Sequence, residues 1–175
     1  MTSSLLTRFA GCLPLAALAL AAFTGAPGKT APLCRNGETS LYCFTTTKGK
    51  IVSVCVGPQQ KYLVYRFGTA QKVELQYPAV LDASSWGKFT FASYMRPSMG
   101  GTNAGQDLNH LQFASGKVRY TVFCDFSDEG GEKVGVNVNL GGGQEVFIKG
   151  NPKSVQGGLM ELRDNDKVKR SEEGL

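Results

Sequence analysis

Leu41-Tyr42-Cys43-Phe44-Thr45-Thr46-Thr47-Lys48-Gly49-Lys50-Ile51-Val52-Ser53-Val54-Cys55-Val56 decides the fold class of this chain. Aromatic and β-branched residues fill both arms, as a pleated and half-buried surface requires. Lys48-Gly49 between them reads as a two-residue hairpin turn. In that register Thr47 opposes Lys50, Cys43 opposes Val54 and Cys55 opposes Tyr42. Side chains alternate faces along a strand, so Cys43 and Cys55 then lie on opposite faces and do not bond to each other.

The same pattern continues on the C-terminal side. Lys61 to Phe67 and Lys72 to Tyr77 are short alternating runs, closed by Gly68 and Pro78. After a connection carrying Trp86, alternation returns at Lys88 to Tyr94, Leu108 to Phe113, Lys117 to Cys124, Val134 to Leu140 and Glu145 to Ile148. Turn residues separate these runs, and only Val155 to Leu162 offers a short helix. About eight or nine strands at this spacing predict an all-β fold, an antiparallel β-sandwich or barrel, stabilised by disulfides.

Towards the N-terminus, Met1 to Arg8 carries one positive charge, Phe9 to Phe23 is almost continuously apolar, and small residues follow at Thr24, Gly25 and Ala26. This is the form of a secretory signal peptide over residues 1–26, and it is short for a membrane span. It leaves a single β domain at 27–162 and a polar C-terminal tail at 163–175, in which Lys167, Lys169 and Arg170 are offset by acids and expected to face solvent. A periplasmic or secreted location follows. Without Arg8 the formal charge falls from +5 to about +4, with the basic residues scattered over many turns. That distribution excludes a nucleic-acid surface.

Export leaves Cys34, Cys43, Cys55 and Cys124 for an oxidising compartment, which predicts two disulfides. The facing argument favours Cys34–Cys43 with Cys55–Cys124; Cys34–Cys55 with Cys43–Cys124 stays open. The spacings of 9, 12 and 69 residues, with His110 the one histidine, do not form a metal site. No cofactor and no catalytic residue is expected. His110 lies in an alternating run without a serine elbow, and Asp125, Asp128 and Glu129 collect beside a turn, where acids are ordinarily solvated. The broken stretch from Arg96 to Asp107 is the natural place for a recognition loop, with Arg96 as its cation.

Three segments carry a resemblance. Cys43 to Cys55, Tyr65-Arg66-Phe67-Gly68 and Tyr120-Thr121-Val122-Phe123 resemble a group of small exported bacterial β-rich proteins. Members of that group carry a further cysteine near the position of Ile148, which this chain lacks. Ser115-Gly116-Lys117-Val118-Arg119-Tyr120 is similar, with one residue more, to the Ser-Gly-x-x-Tyr-like loop that bacterial periplasmic lysozyme inhibitors place in the enzyme's cleft. The likeness implies a non-enzymatic binding module with a hydrolase such as lysozyme as protein partner. Ser115, Gly116, Lys117, Arg119 and Tyr120 would then meet the catalytic carboxylates, which suits cations. The alternative expectation is a structural envelope or matrix protein that associates through its sheet edges.

Overall fold

The first hairpin joins β1 (Thr39–Thr45) to β2 (Ile51–Val56) by a wider turn than the sequence pattern predicts. The computed structural model of the protein describes residues 30–100 and 104–171, so the expected signal peptide lies outside the described residues. Thr46 closes the turn: its N–H donates to the Lys50 carbonyl at 2.7 Å and its hydroxyl accepts from the Lys50 N–H at 3.0 Å. Thr47, Lys48 and Gly49 form a three-residue loop, with Gly49 supplying the left-handed position at φ +77°.

One extra turn residue changes every partner along the hairpin. Cys43 faces Ser53, Tyr42 faces Val54, and a bulge at Leu41 places Ser40 opposite Cys55. Cys43 therefore shares a face with Ser53 and Cys55, contrary to the expected arrangement. The two cysteines still do not bond, because Ser53 stands between them and its hydroxyl contacts the Cys43 sulfur at 3.6 Å.

The remaining long strands are β3 (Leu63–Gly68), β4 (Val73–Tyr77), β5 (Thr90–Arg96), β6 (Gln106–Ser115), β7 (Val118–Ser127), β8 (Gly131–Gly141) and β9 (Gln144–Lys149). Two residue pairs complete the sheets: β10 (Gln156–Gly157) and β11 (Lys169–Arg170). The fold is all-β, with the expected nine runs all present as strands. A five-stranded sheet runs β10-β1-β2-β3-β4 and a six-stranded sheet runs β11-β5-β6-β7-β8-β9. All pairings are antiparallel except β11 with β5. The sheets form a sandwich rather than a closed barrel.

Between the sheets lies an apolar core. Tyr42, Phe44, Val52, Val54, Leu63 and Tyr65 project from the smaller sheet, against Phe91, Leu111, Phe113, Val122 and Val136 from the larger. Phe113 is the aromatic centre, with ring centroids 4.9 Å from Tyr65, 4.5 Å from Tyr77 and 4.8 Å from Tyr120. The connection before β5 contains a 3-10 helix at Ala83–Lys88, started by Asp82, whose carboxylate accepts from the Ser84 N–H at 2.8 Å. That turn buries Trp86 at the edge of the core. The expected helix near Val155–Leu162 is reduced to a 3-10 turn at Leu159–Leu162, which buries Leu159 and Leu162.

Lys167, Lys169 and Arg170 are exposed as expected, but the apolar residue among them is not. Val168 is 3% exposed and joins the core, which anchors the charged residues on either side of it. Lys169–Arg170 then pairs with β5, the Arg170 guanidinium lies 5.1 Å from the Phe91 ring centre, and Arg163 is ion-paired with Asp107. Long basic side chains cover apolar surface with their stems, so a charged composition does not by itself mark a free end. Packing against the core thus continues beyond 162, to Val168.

On its outer side the smaller sheet is covered by the segment Thr30–Glu38. Among the described residues the disulfide is Cys34–Cys55, which clamps this strap to β2; Cys43 and Cys124 are free. This corrects the favoured pairing and realises half of the alternative. Cys43 faces the strap side of the smaller sheet, whereas Cys124 lies on the inner face of the larger one, so the smaller sheet separates them. Under the strap, Arg66 is fully buried and donates both terminal nitrogens to Glu38, which is 1% exposed at its side chain. Arg66 also donates to the Leu33 carbonyl at 3.2 Å and to Gln76 at 3.0 Å, and Tyr62 donates to Glu38 at 3.0 Å.

Candidate functional site

The turn singled out by the lysozyme-inhibitor likeness is tight. Ser115 pairs with Val118, leaving Gly116 and Lys117 as a two-residue loop. Gly116 sits at φ +63° while Lys117 has negative φ, the arrangement of a type II′ turn. Alternation sends Tyr120 inward, where it stacks on Phe113 at an interplanar angle of 6°. Arg119 points the other way, onto the outer face of the six-stranded sheet. Ser115, Arg119 and Tyr120 thus do not converge on one protruding loop. Replacing Gly116 with alanine is expected to lower stability by about 1–2 kcal/mol through the left-handed position, read as a shift in the urea midpoint with unchanged slope.

Arg96 is committed within its own loop. Its Nε and Nη2 donate to the Ala104 carbonyl at 3.1 and 2.9 Å, and the next residue, Gly105, donates its N–H to Asp128 at 2.6 Å. These bonds tie the base of the 96–107 excursion, of which residues 101–103 lie outside the described residues. Of the residues expected to bind, only Arg119 lines a cavity on that outer face.

That cavity, of about 910 Å³, opens on the outer face of β6–β9. Among its lining residues, the rings of Phe123 and Phe147 stack with centroids 5.4 Å apart. Phe123 is 7% exposed and Phe147 61%, so one ring supports and the other is presented. Gly135 lies between the two strands that carry them, paired with Phe123 on one side and Lys149 on the other. A Cβ at Gly135 would come within 2.7 Å of the Phe123 ring and 2.6 Å of the Ile148 carbonyl, so glycine is what lets Phe123 lie down on the sheet. His110 packs against the edge of this pair, with its centroid 6.2 Å from that of Phe123, and its Nε2 is 2.9 Å from Asp125.

Polar groups border the rings. Glu145 accepts from the amides of Asn137 and Asn139 at 3.3 and 3.2 Å, which fixes both side chains beside Phe147. The cations Arg119, Lys133 and Lys149 are matched by the anions Asp125, Glu132 and Glu145 around the cavity. The face is therefore bordered by charges yet close to neutral in formal charge.

A second cavity, of about 300 Å³, lies where β6 and β7 meet the 157–160 segment and is lined in part by Asn109, Cys124 and Met160. The Cys124 thiol is pushed up to about 11 by burial first and by the nearby carboxylates of Glu132 and Asp125, despite a hydrogen bond with Tyr42 that works the other way. A thiol with that value is protonated at neutral pH and is no nucleophile. Cys43 is likewise pushed up by burial.

Comparison with protein-family models, with characterised proteins and with solved structures gave no match to this chain.

Proposed function

We propose that this protein is an exported, non-catalytic binding module that takes its ligand on the outer face of the six-stranded sheet. The observation that carries this reading is the Phe123–Phe147 stack laid over Gly135 and bordered by fixed amides. A large pocket with an aromatic floor and a few oriented polar groups is the usual form of a ligand site. The strands hold it rigid, so little freedom is lost on binding. Export is supported by the N-terminal leader pattern and by the Cys34–Cys55 disulfide, which persists in oxidising compartments.

Amide chemical shifts of the oxidised protein, titrated with soluble cell-envelope polysaccharide and with lysozymes of several classes, test this. Shifts are expected at Phe123, Gly135, Asn137 and Phe147. Shifts confined to Gly116 and Lys117, together with lost lytic activity, would instead make the chain a hydrolase inhibitor acting through its β6–β7 turn. A second reading, assembly of copies through a sheet edge, is favoured by exposed Val146 and Phe147 on the edge strand β9. Sedimentation separates it, because edge assembly depends on protein concentration and needs no ligand.

A further inference from the structure

We propose that the ligand of this face is a neutral oligosaccharide, with one sugar ring packed on Phe147; the inference rests on the reading of the face as the binding site. Three observations restrict the ligand class. Phe147 stays 61% exposed although Phe123 and Gly135 give it a rigid backing. A pyranose ring has a patch of C–H groups on one side, which matches the electron-rich face of an aromatic ring. The rim of such a ring is hydroxyl.

Hydroxyls both donate and accept, and the groups around Phe147 do both in turn. Asn137 and Asn139 carry donors and acceptors, Glu145 accepts, and Arg119 donates. A wholly apolar ligand would bury whichever of their polar atoms the Asn137–Glu145 and Asn139–Glu145 hydrogen bonds leave open, at a cost of about 1–3 kcal/mol each. The cavity's charges supply the third restriction. Arg119, Lys133 and Lys149 offset Asp125, Glu132 and Glu145, so a phosphorylated or polyanionic ligand meets as much repulsion as attraction. The volume of about 910 Å³ admits more than one sugar ring, which points to a chain rather than a monosaccharide.

Isothermal titration of the oxidised protein tests the proposal, using cellohexaose, chitohexaose and xylohexaose as neutral probes and heparin and polygalacturonate as charged ones. At least one neutral probe is expected to bind with a Kd of about 1 mM or tighter. Phe147→Ala should weaken it by about tenfold or more, and Phe147→Trp should retain it. The thermal midpoint of Phe147→Ala should stay close to that of the parent, because the side chain is largely exposed. The single tryptophan, Trp86, is buried away from this face, so heat is a better readout than its fluorescence.

No binding of any neutral probe at millimolar concentration overturns the proposal, as does binding that ignores Phe147→Ala. If only a charged polymer binds, or a protein does, and amide shifts map to Phe123, Gly135 and Phe147, the ligand class is wrong while the face remains the site. If a sugar binds and its shifts map elsewhere, both readings fall.

Discussion

Replacing Arg66 with alanine is expected to lower the stability of the fold by about 3–5 kcal/mol, the effect of leaving one partner of a buried ion pair behind. Arg66 has no exposed surface, and Glu38 opposite it has almost none. With the guanidinium gone, Glu38 keeps its hydrogen bonds from Tyr62 and the Arg35 N–H but loses its counter-charge, and the Leu33 carbonyl and Gln76 lose a donor. Replacing both members, as Arg66→Met with Glu38→Leu, should recover part of the loss, since two apolar side chains no longer leave a charge buried. Urea midpoints of the two single variants and the double variant at neutral pH measure this. A loss under about 1 kcal/mol for Arg66→Ala would mean that the pair acts like a solvent-exposed one.

The same pair predicts the acid limb of stability. Burial pushes the Glu38 carboxyl up, but hydrogen bonds from Arg66, the Arg35 N–H and Tyr62, with the Arg66 charge, hold it below the ordinary carboxylate value. A carboxyl whose value falls on folding contributes stability in full above its unfolded value. That contribution is lost as pH falls through the folded value. Stability should therefore drop in acid, below the usual carboxylate range, and Glu38→Gln should flatten that part of the profile while lowering the neutral plateau.

The strands were legible because period-two alternation is a local signal, and each of the nine runs kept it. The hairpin register was not. Thr46 could serve either as strand or as the residue that closes the turn, and its side chain's bond to the Lys50 N–H decides the matter. That single residue moved Cys55 to the face of Cys43 and undid the pairing argument. Arg66 was hidden for a different reason: in an alternating run a charged residue reads as solvent-facing. Only the strap, brought over it from thirty residues away, makes the position buried. Val168 is one apolar residue among charges and has no period to reveal it.

The candidate face was partly readable. Phe123 and Phe147 stand out of phase with the valines of their own strands, a parity signal that the reading of the sequence did not use. What parity does not give is their meeting. That requires the register of β7 on β8 and of β8 on β9, with Gly135 between them. The Ser115 turn drew attention through its resemblance, yet alternation divides its residues between the two faces, and only Arg119 comes to the cavity.

Removing the disulfide, as Cys34→Ala with Cys55→Ala, is expected to lower stability by about 3 kcal/mol, from the loop closed across 21 residues of sequence. Reduction of the parent protein should give the same shift. The cross-link and the ion pair hold one strap, so their losses should not add. Once Cys34 is released, water reaches Arg66 and Glu38, and a pair in water contributes far less than a sealed one. Arg66→Ala made in the cysteine-free background should then subtract clearly less than it does in the oxidised protein, a coupling that a double-mutant cycle reads directly. Full additivity would show that the strap's hydrogen bonds, from Leu33 to Ser53 and from Gln156 to Thr30, keep it closed by themselves. In that case the disulfide acts on the unfolded chain alone, and the burial of Arg66 is a property of the strap's packing and not of its covalent anchor.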